Sequence, residues 1–309
     1  MNNRIFGPVP SRRLGLSLGV DLTPHKTCTL DCIYCECGKT TVLTNKRESW
    51  FDPDEILKEL GIKIQRTEKI DYITFSGSGE PTLSKDIGYI ISKIKSEYKI
   101  PVCVLTNGNL LYLNEVRDDL LNADLVLPSL DAVSQDIFNK INRPVKSLSK
   151  KKIIEGLIEF RKVFNGKIFL EILFVKNIND TESEIKKISN VADKIKPDKI
   201  QLNTCVRPGT ETDIQPLTEL ELKQIALSFN FPIEIISSFK KDSKISLNKE
   251  DIITLIKRRP CSINDISLLT SIPSLQIVKM MDLMKFNGIA IKEKNIKSEK
   301  YFFIEGNNE

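Results

Sequence analysis

Apolar and polar positions along this chain change period many times, and each change marks an element. Residues 16–22 read as a strand, and a cysteine-bearing loop follows. Asp52-Pro53-Asp54-Glu55 is a helix start, with Asp52 as N-cap, Pro53 at the first helical position and Glu55 closing a capping box. Ile56, Leu57 and Leu60 then recur at helical spacing. Residues 71–76 read as a strand, and the stretch 85–98 carries Ile87, Ile90, Ile91 and Ile94 as an amphipathic stripe. The alternation continues with strand 101–106, helix 113–122, strand 124–130, helix 151–163, strand 167–175, helix 182–195, strand 199–205, helix 219–229 and strand 233–237. Residues 167–175 (KIFLEILFV) are nearly continuously apolar, the pattern of a parallel strand buried on both faces.

Alternating strands and helices imply parallel strands joined by right-handed crossovers. Six or seven such units fall short of the eight of a closed barrel, so the expected α/β fold is an open partial (β/α)6 barrel over residues 1–240. Ligands in such folds sit at the C-terminal ends of the strands. Polar residues and glycines do cluster there. The second strand ends in Gly77-Ser78-Gly79-Glu80-Pro81-Thr82, the third in Thr106-Asn107-Gly108, and the fourth in Ser129-Leu130-Asp131-Ala132. The sixth carries Asn203, Thr204 and Cys205, then Arg207-Pro208-Gly209. Glu171 lies within the fifth and faces either the lumen or the helices.

The pattern changes near residue 247. A helix over 251–257 is followed by one that Ser262 caps and that runs to 270, then by a third over 274–285 with Ile277, Met280, Met281 and Met284 as its buried stripe. Asn287-Gly288 ends it, and strands 289–293 and 301–304 form a hairpin. Three helices and a hairpin resemble a winged helix, a small second domain over 247–309. The polar, lysine-bearing stretch 239–248 reads as the linker.

The length of 309 residues accommodates one large and one small domain. Hydrophobic content of 40% and charged content of 28% suit an ordinary soluble globular protein. The N-terminus has no apolar run, and no stretch approaches the roughly 20 apolar residues of a membrane helix, so a cytoplasmic protein with no membrane partner is expected. The net charge of +5 permits an anionic partner such as RNA.

Candidate chemistry concentrates in Cys28, Cys32 and Cys35, a C-x3-C-x2-C pattern with Tyr34 just before the last cysteine. A cubic iron–sulfur cluster has four irons, and full ligation takes four thiolates. Three ligands on one short loop leave one iron open, and an open position can bind a substrate or cofactor, as in catalytic zinc sites. With Cys37 added, a four-thiolate zinc site is a second reading. A disulfide is a third, disfavoured where nothing suggests secretion. Cys103 reads as a small buried hydrophobe, and Cys205, at a strand end facing the site, as a candidate redox thiol. His25, the only histidine, reads as a non-catalytic loop residue. Arg12-Arg13, Arg143 and Arg207 lie in loops, where arginine suits carboxylate or phosphate and also ordinary surface ion pairs. No P-loop or dinucleotide fingerprint appears.

The cysteine spacing with its aromatic residue resembles the radical SAM superfamily. The 77–81 loop is similar to that superfamily's Gly-Gly-Glu-Pro motif, with Ser78 where the first glycine often stands. The segments GPVPSRRLG, KTCTLDCIYCECGKT, FSGSGEPTL, SLDA, INRP and QLNTCVRPG resemble a group of microbial radical SAM iron–sulfur oxidoreductases near the wyosine-type tRNA synthases. The likeness spans residues 4–240, and a winged-helix tail also occurs in that group. The resemblance implies a partial (β/α)6 barrel. It implies a [4Fe–4S] cluster on Cys28, Cys32 and Cys35, with S-adenosylmethionine (SAM) on the remaining iron. SAM contacts carry over to Tyr34, Gly77, Gly79, Glu80, Thr106, Asn107, Ser129, Asp131 and Asn203, with the Glu80 carboxylate facing the SAM ammonium group. A low-potential electron donor of flavodoxin or ferredoxin type is implied as well. The second cysteine triad of the wyosine synthases is missing here, so their activity does not carry over. Three functions compete. One is an enzyme acting on RNA, docked by Lys279, Lys285, Lys292, Lys294, Lys297 and Lys300. The second is an enzyme modifying a peptide held by strand addition on the winged helix. The third is a non-catalytic iron–sulfur regulator on DNA, against which the 77–81 loop argues, because a sensor needs no SAM pocket.

Overall fold

The computed structural model describes residues 4–11, 13–236, 249–270, 272–296 and 299–304. Arg12, Lys297, the end of strand 233–237 and the linker 239–248 lie outside the described residues. An antiparallel hairpin of β1 (Ile5–Ser11) and β2 (Gly15–Val20) opens the fold. Gly7, Pro8 and Pro10 interrupt the alternation of β1, so the sequence pattern does not reveal it. The two-residue strands β3 (Thr27–Cys28) and β4 (Val42–Leu43) pair across the cysteine loop. Then come α1 (Pro53–Gln65), β5 (Tyr72–Phe75), α2 (Ile87–Glu97), β6 (Val102–Thr106), α3 (Asn114–Asp119) and β7 (Leu125–Pro128). They are followed by α4 (Gln135–Ile141), α5 (Lys150–Val163), β8 (Lys167–Phe174), α6 (Glu182–Ile195), β9 (Lys199–Thr204), α7 (Glu219–Ala226) and β10 (Ile233–Ile235). The sheet runs β1-β2-β5-β6-β7-β8-β9-β10, parallel at every pair after the first. Spatial order follows chain order, so the strands wrap one way into an open partial barrel.

The helices cover the outside of this sheet. Ile87, Ile90, Ile91 and Ile94 of α2 are fully buried, each burial stabilising the fold by roughly 1.5–3 kcal/mol. At the start of α1, Asp52 caps as expected but accepts from the Asp54 amide, the second helical position, and not from Glu55. In β8 the residues Ile168, Leu170, Ile172 and Phe174 are buried against the helices, while Phe169, Glu171 and Leu173 are only half-buried on the lumen side. The expected burial on both faces holds for one face; the other lines the lumen. Leu14, Cys103, Leu125 and Leu127, with Leu105 and Phe169, plug the lumen's floor, and Cys103 is a buried hydrophobe there.

The C-terminal segment comprises α8 (Lys249–Arg258), β11 (Cys261–Ser262), α9 (Ile263–Thr270), α10 (Ser274–Phe286), β12 (Ile291–Ile296) and β13 (Glu299–Ile304). Its antiparallel sheet has the order β11-β13-β12. It has a separate apolar core that includes Ile252, Ile256, Ile266, Ile277, Met281 and Met284. Ser262 and Asp265 cap α9 reciprocally: the Asp265 amide donates to the Ser262 hydroxyl at 3.0 Å, and the Ser262 amide to the Asp265 carboxylate at 3.2 Å. Val9 of β1 packs on this second core, and the Tyr301 hydroxyl donates to the Val206 carbonyl at 3.4 Å. Among the described residues, no helix is long and apolar enough to cross a membrane.

Candidate functional site

Two tight turns shape the cysteine loop: the Cys35 amide donates to the Cys32 carbonyl at 3.1 Å and the Gly38 amide to the Cys35 carbonyl at 3.0 Å. Each thiol of the triad meets its own nitrogen donor. Lys26 Nζ lies 3.2 Å from Cys35 Sγ, Asn107 Nδ2 3.6 Å from Cys28 Sγ, and Asn142 Nδ2 3.4 Å from Cys32 Sγ. The buried hydroxyl of Thr27 has no hydrogen-bond partner among the described residues. Three thiols with three N–H donors are a set that fits an iron–sulfur cluster, whose sulfurs take such donors and whose potential responds to them. Burial pushes the Cys28 thiol up to about 12 and raises Cys32 as well. Cys35 moves the other way, to about 6, because the Cys37 thiol donates to it and Lys26 sits beside it. A bound metal deprotonates such thiols outright. Cys37 Sγ lies 4.0 Å from the Gly77 carbonyl. Among the described residues, no three His, Cys, Asp or Glu side chains converge as ligands of a single ion do. A cube makes a different demand, since it takes each thiolate on a separate iron.

The 77–81 loop lies directly on the cysteine loop. A Cβ on Gly79 would come within 2.1 Å of the Thr27 carbonyl oxygen, so only glycine permits this approach. The Glu80 amide donates to that same carbonyl at 3.0 Å. The Glu80 side chain is buried. Its Oε1 accepts from the Thr82 amide (3.1 Å), the Thr82 hydroxyl (2.5 Å) and the Thr106 hydroxyl (2.6 Å), and its Oε2 from the Asn107 amide (2.8 Å). Burial raises this carboxyl, and the four donors pull it back. Three of these bonds fall on Oε1 and one on Oε2, so Oε2 keeps an acceptor site. The side chain expected from sequence to face the SAM ammonium group thus also joins the ends of β5 and β6. The Asn107 side chain continues the chain of contacts, reaching Thr29 Oγ1 at 2.8 Å as well as Cys28.

On the far side, Asp131 plays the matching part. Its Oδ2 accepts from the Tyr34 hydroxyl and from Asn142 Nδ2 (2.8 Å), and its Oδ1 from the Leu173 amide (2.9 Å). Burial raises both the Asp131 carboxyl and the Tyr34 hydroxyl. Ser129 is half-buried, and its amide donates to the Thr106 carbonyl at 3.2 Å. Asn203 Nδ2 donates to Glu171 Oε1 at 3.0 Å, and the same oxygen pairs with the Arg13 guanidinium. Glu171 thus faces the lumen.

Other charged candidates part company. Arg143 pairs with Glu211 at 2.6 Å on the surface. Arg207 is buried between Glu36 of the cysteine loop (3.3 Å) and Asp265 of α9 (3.4 Å). Gly209 lets this segment lie against Tyr34, where a Cβ would come within 2.7 Å of backbone. Cys205 packs half-buried against the barrel core, and His25 is exposed. Arg13 lines a lumen cavity of about 300 Å³, whose walls include Ser17, Thr74, Gly77, Cys37 and, from α8, Leu255. The Nε of Arg13 is buried without a hydrogen-bond partner among the described residues. Sequence reasoning missed Lys26 and Asn142, the donors to Cys35 and Cys32. It also missed Asp21, whose Oδ2 accepts from the Ser78 amide at 3.3 Å. A lysine two residues before the first cysteine was a visible signal for Lys26; Asn142 lies in the INRP segment, but no local pattern ties it to Cys32 across 110 residues of chain.

Residues 22–188 match the radical SAM superfamily. The chain is 44% identical over 271 residues to a protein of Brachyspira hyodysenteriae described as a GTPase Obg; the match takes in 86% of this chain and spans only 40% of that protein. It is 35% identical over 310 residues to a UPF0026 protein of Methanocaldococcus jannaschii, across 95% of this chain and 96% of that one. A solved radical SAM methyltransferase from Sphaerobacter thermophilus superposes with a TM-score of 0.57 at 12% identity, over 74% of this chain and 68% of the other, a likeness of fold.

Proposed function

This chain belongs to the radical SAM superfamily and is an enzyme of that class, and from that premise we propose that Cys28, Cys32 and Cys35 hold a [4Fe–4S] cluster that leaves its fourth iron for SAM. When bound, cluster and SAM supply reductive cleavage of SAM to methionine and a 5′-deoxyadenosyl radical, which takes a hydrogen atom from a substrate. The protein supplies position and exclusion of water. The observation that carries this reading is the trio of N–H donors, one to each thiol of the triad. Two of them are themselves fixed: the backbone of Asn107 is tied to Glu80, and the Asn142 side chain to Asp131. The remaining acceptor site on Glu80 Oε2 and the backbone carbonyls of the 77–79 turn are the acceptors for the SAM ammonium group. Tyr34, Thr106, Asn107, Ser129, Asp131 and Asn203 form the wall behind it. A flavodoxin- or ferredoxin-type protein delivers the electron. Residues 249–304 are the winged-helix-like recognition unit, and RNA is the substrate class we assign to it on the lysines of this segment, of which Lys285 and Lys300 pair with Glu293.

Anaerobic reconstitution with iron and sulfide tests the core of this. The expected result is the broad visible absorbance of a [4Fe–4S] cluster and release of 5′-deoxyadenosine with dithionite. Cys28→Ala, Cys32→Ala and Cys35→Ala should each abolish both, while Cys37→Ala should keep the chromophore. Cluster-loaded protein that forms no 5′-deoxyadenosine would end the proposal.

A further inference from the structure

A second cavity, of about 360 Å³, opens between the cysteine loop and the C-terminal segment. Its walls carry Lys39 from the cysteine loop, Lys257 and Arg259 at the end of α8, and Lys294 of β12. Lys26, engaged with Cys35, also lines it. The carboxylate on these walls is Glu36, which Arg207 holds. Three ammonium groups, of Lys39, Lys257 and Lys294, from three separate stretches of chain therefore face one cleft. Like charges gathered at a concave surface repel one another and focus a positive potential. An anion relieves that repulsion, and a group of ammonium charges suits phosphate oxygens.

The cleft shares Glu36, Cys37 and Arg259 with the lumen cavity, so the two adjoin. Each is within the range of small-ligand pockets, at 300–1,000 Å³. The lumen cavity is of another character. Phe6, Leu14 and Leu105 give it apolar walls, Ser17 and Thr74 give it hydroxyls, and Arg13 brings the buried Nε that lacks an acceptor. One ligand spanning both would have a charged end among the lysines and a ring with hydrogen-bonding edges beside Gly77. SAM carries no phosphate and leaves the cleft unexplained.

We propose that the basic cleft binds the phosphate of the substrate, that the adjoining lumen cavity receives its base, and that the substrate is accordingly a nucleotide, free or within an RNA chain. This deepens the function proposed above and rests on it only for what then happens to the bound group. The test uses the full-length, cluster-loaded protein under anaerobic conditions. Binding is measured for the four ribonucleosides, their 5′-monophosphates and a mixed-sequence RNA octanucleotide. At least one monophosphate should bind about tenfold more tightly than its nucleoside, the increment of a charge-assisted hydrogen bond, and added salt should shrink the difference. Lys257→Gln combined with Lys294→Gln should remove the increment, and Lys257→Arg combined with Lys294→Arg should restore it. Lys39→Gln, an exposed change in a loop, gives a second reading should the pair disturb folding. An octanucleotide that binds more tightly than the monophosphates identifies RNA as the source, and one that binds more weakly a free nucleotide; both place a phosphate in the cleft. Equal affinity for nucleosides and monophosphates, or an increment the Gln variants leave intact, overturns the proposal. Phosphate preference without 5′-deoxyadenosine formation removes the proposed activity and leaves the cleft standing; the reverse removes the cleft alone.

Discussion

Lys150 is a buried ammonium set 4.4 Å over the ring of Phe138. Burial lowers it to about 8, against the attraction of Asp131, Glu184 and Cys32. Below pH 8 the lysine is charged in both the folded and unfolded chain, and the cost of burying that charge is fully present. Between about 8 and its ordinary 10.5 the folded protein releases a proton that the unfolded chain keeps, so stability rises with pH across this window. Lys150→Met should therefore stabilise the protein at pH 7 by about 2 kcal/mol, the burial cost less the lost cation–π contact, with the gain shrinking above pH 8. Urea unfolding at pH 7 and pH 9.5 checks both parts. A variant less stable than the parent at pH 7 would mean that the carboxylates nearby outweigh the desolvation.

Among elements, the strand-end loops are held by buried acids acting as staples. Glu80 joins the 77–81 loop to the end of β6, and Asp131 joins the end of β7 to β8 and the cysteine loop. The sequence marks both positions, since acids just after strands are conspicuous, but not their work. A carboxylate that reads as ready for a ligand also becomes a structural acceptor once the neighbouring strand ends bring in four donors. Glu80→Gln keeps the shape but presents an NH2 group to donors. It should cost about 2 kcal/mol and reduce the iron retained after reconstitution, because Asn107 loses the anchor that aims it at Cys28. Thermal melting and iron analysis read the two effects separately. Unchanged iron content would show that the Cys28 contact does not depend on this staple.

Across the whole molecule, Arg207 links the cysteine loop to the C-terminal segment through Glu36 and Asp265. Arg207→Met removes one ion-pair partner from each carboxylate. It should cost about 2 kcal/mol, below the full figure for a buried pair because both acids keep some contact with water. Hydrogen exchange in α8 and α9 should rise along with that loss. A stability loss without faster exchange there would place the role of Arg207 inside the barrel alone.

The amino-acid order by itself determined the alternating strands and helices, the cysteine triad and the glycine-rich loop, because periodicity and short spacing are properties of neighbouring residues. It left β1 unread, since its prolines and glycine break the period by which strands are recognised. It also missed α4, and left Glu171 undecided between two faces. Only the tertiary structure set Lys26, Asn107 and Asn142 on the three thiols, turned Glu80 inward, and brought lysines of α8 and β12 opposite the cysteine loop. The reason is physical. Hydrogen bonds and charge pairs at such separations depend on how strand ends converge in space, and the convergence comes from packing the whole sheet and its helices, which no local pattern records.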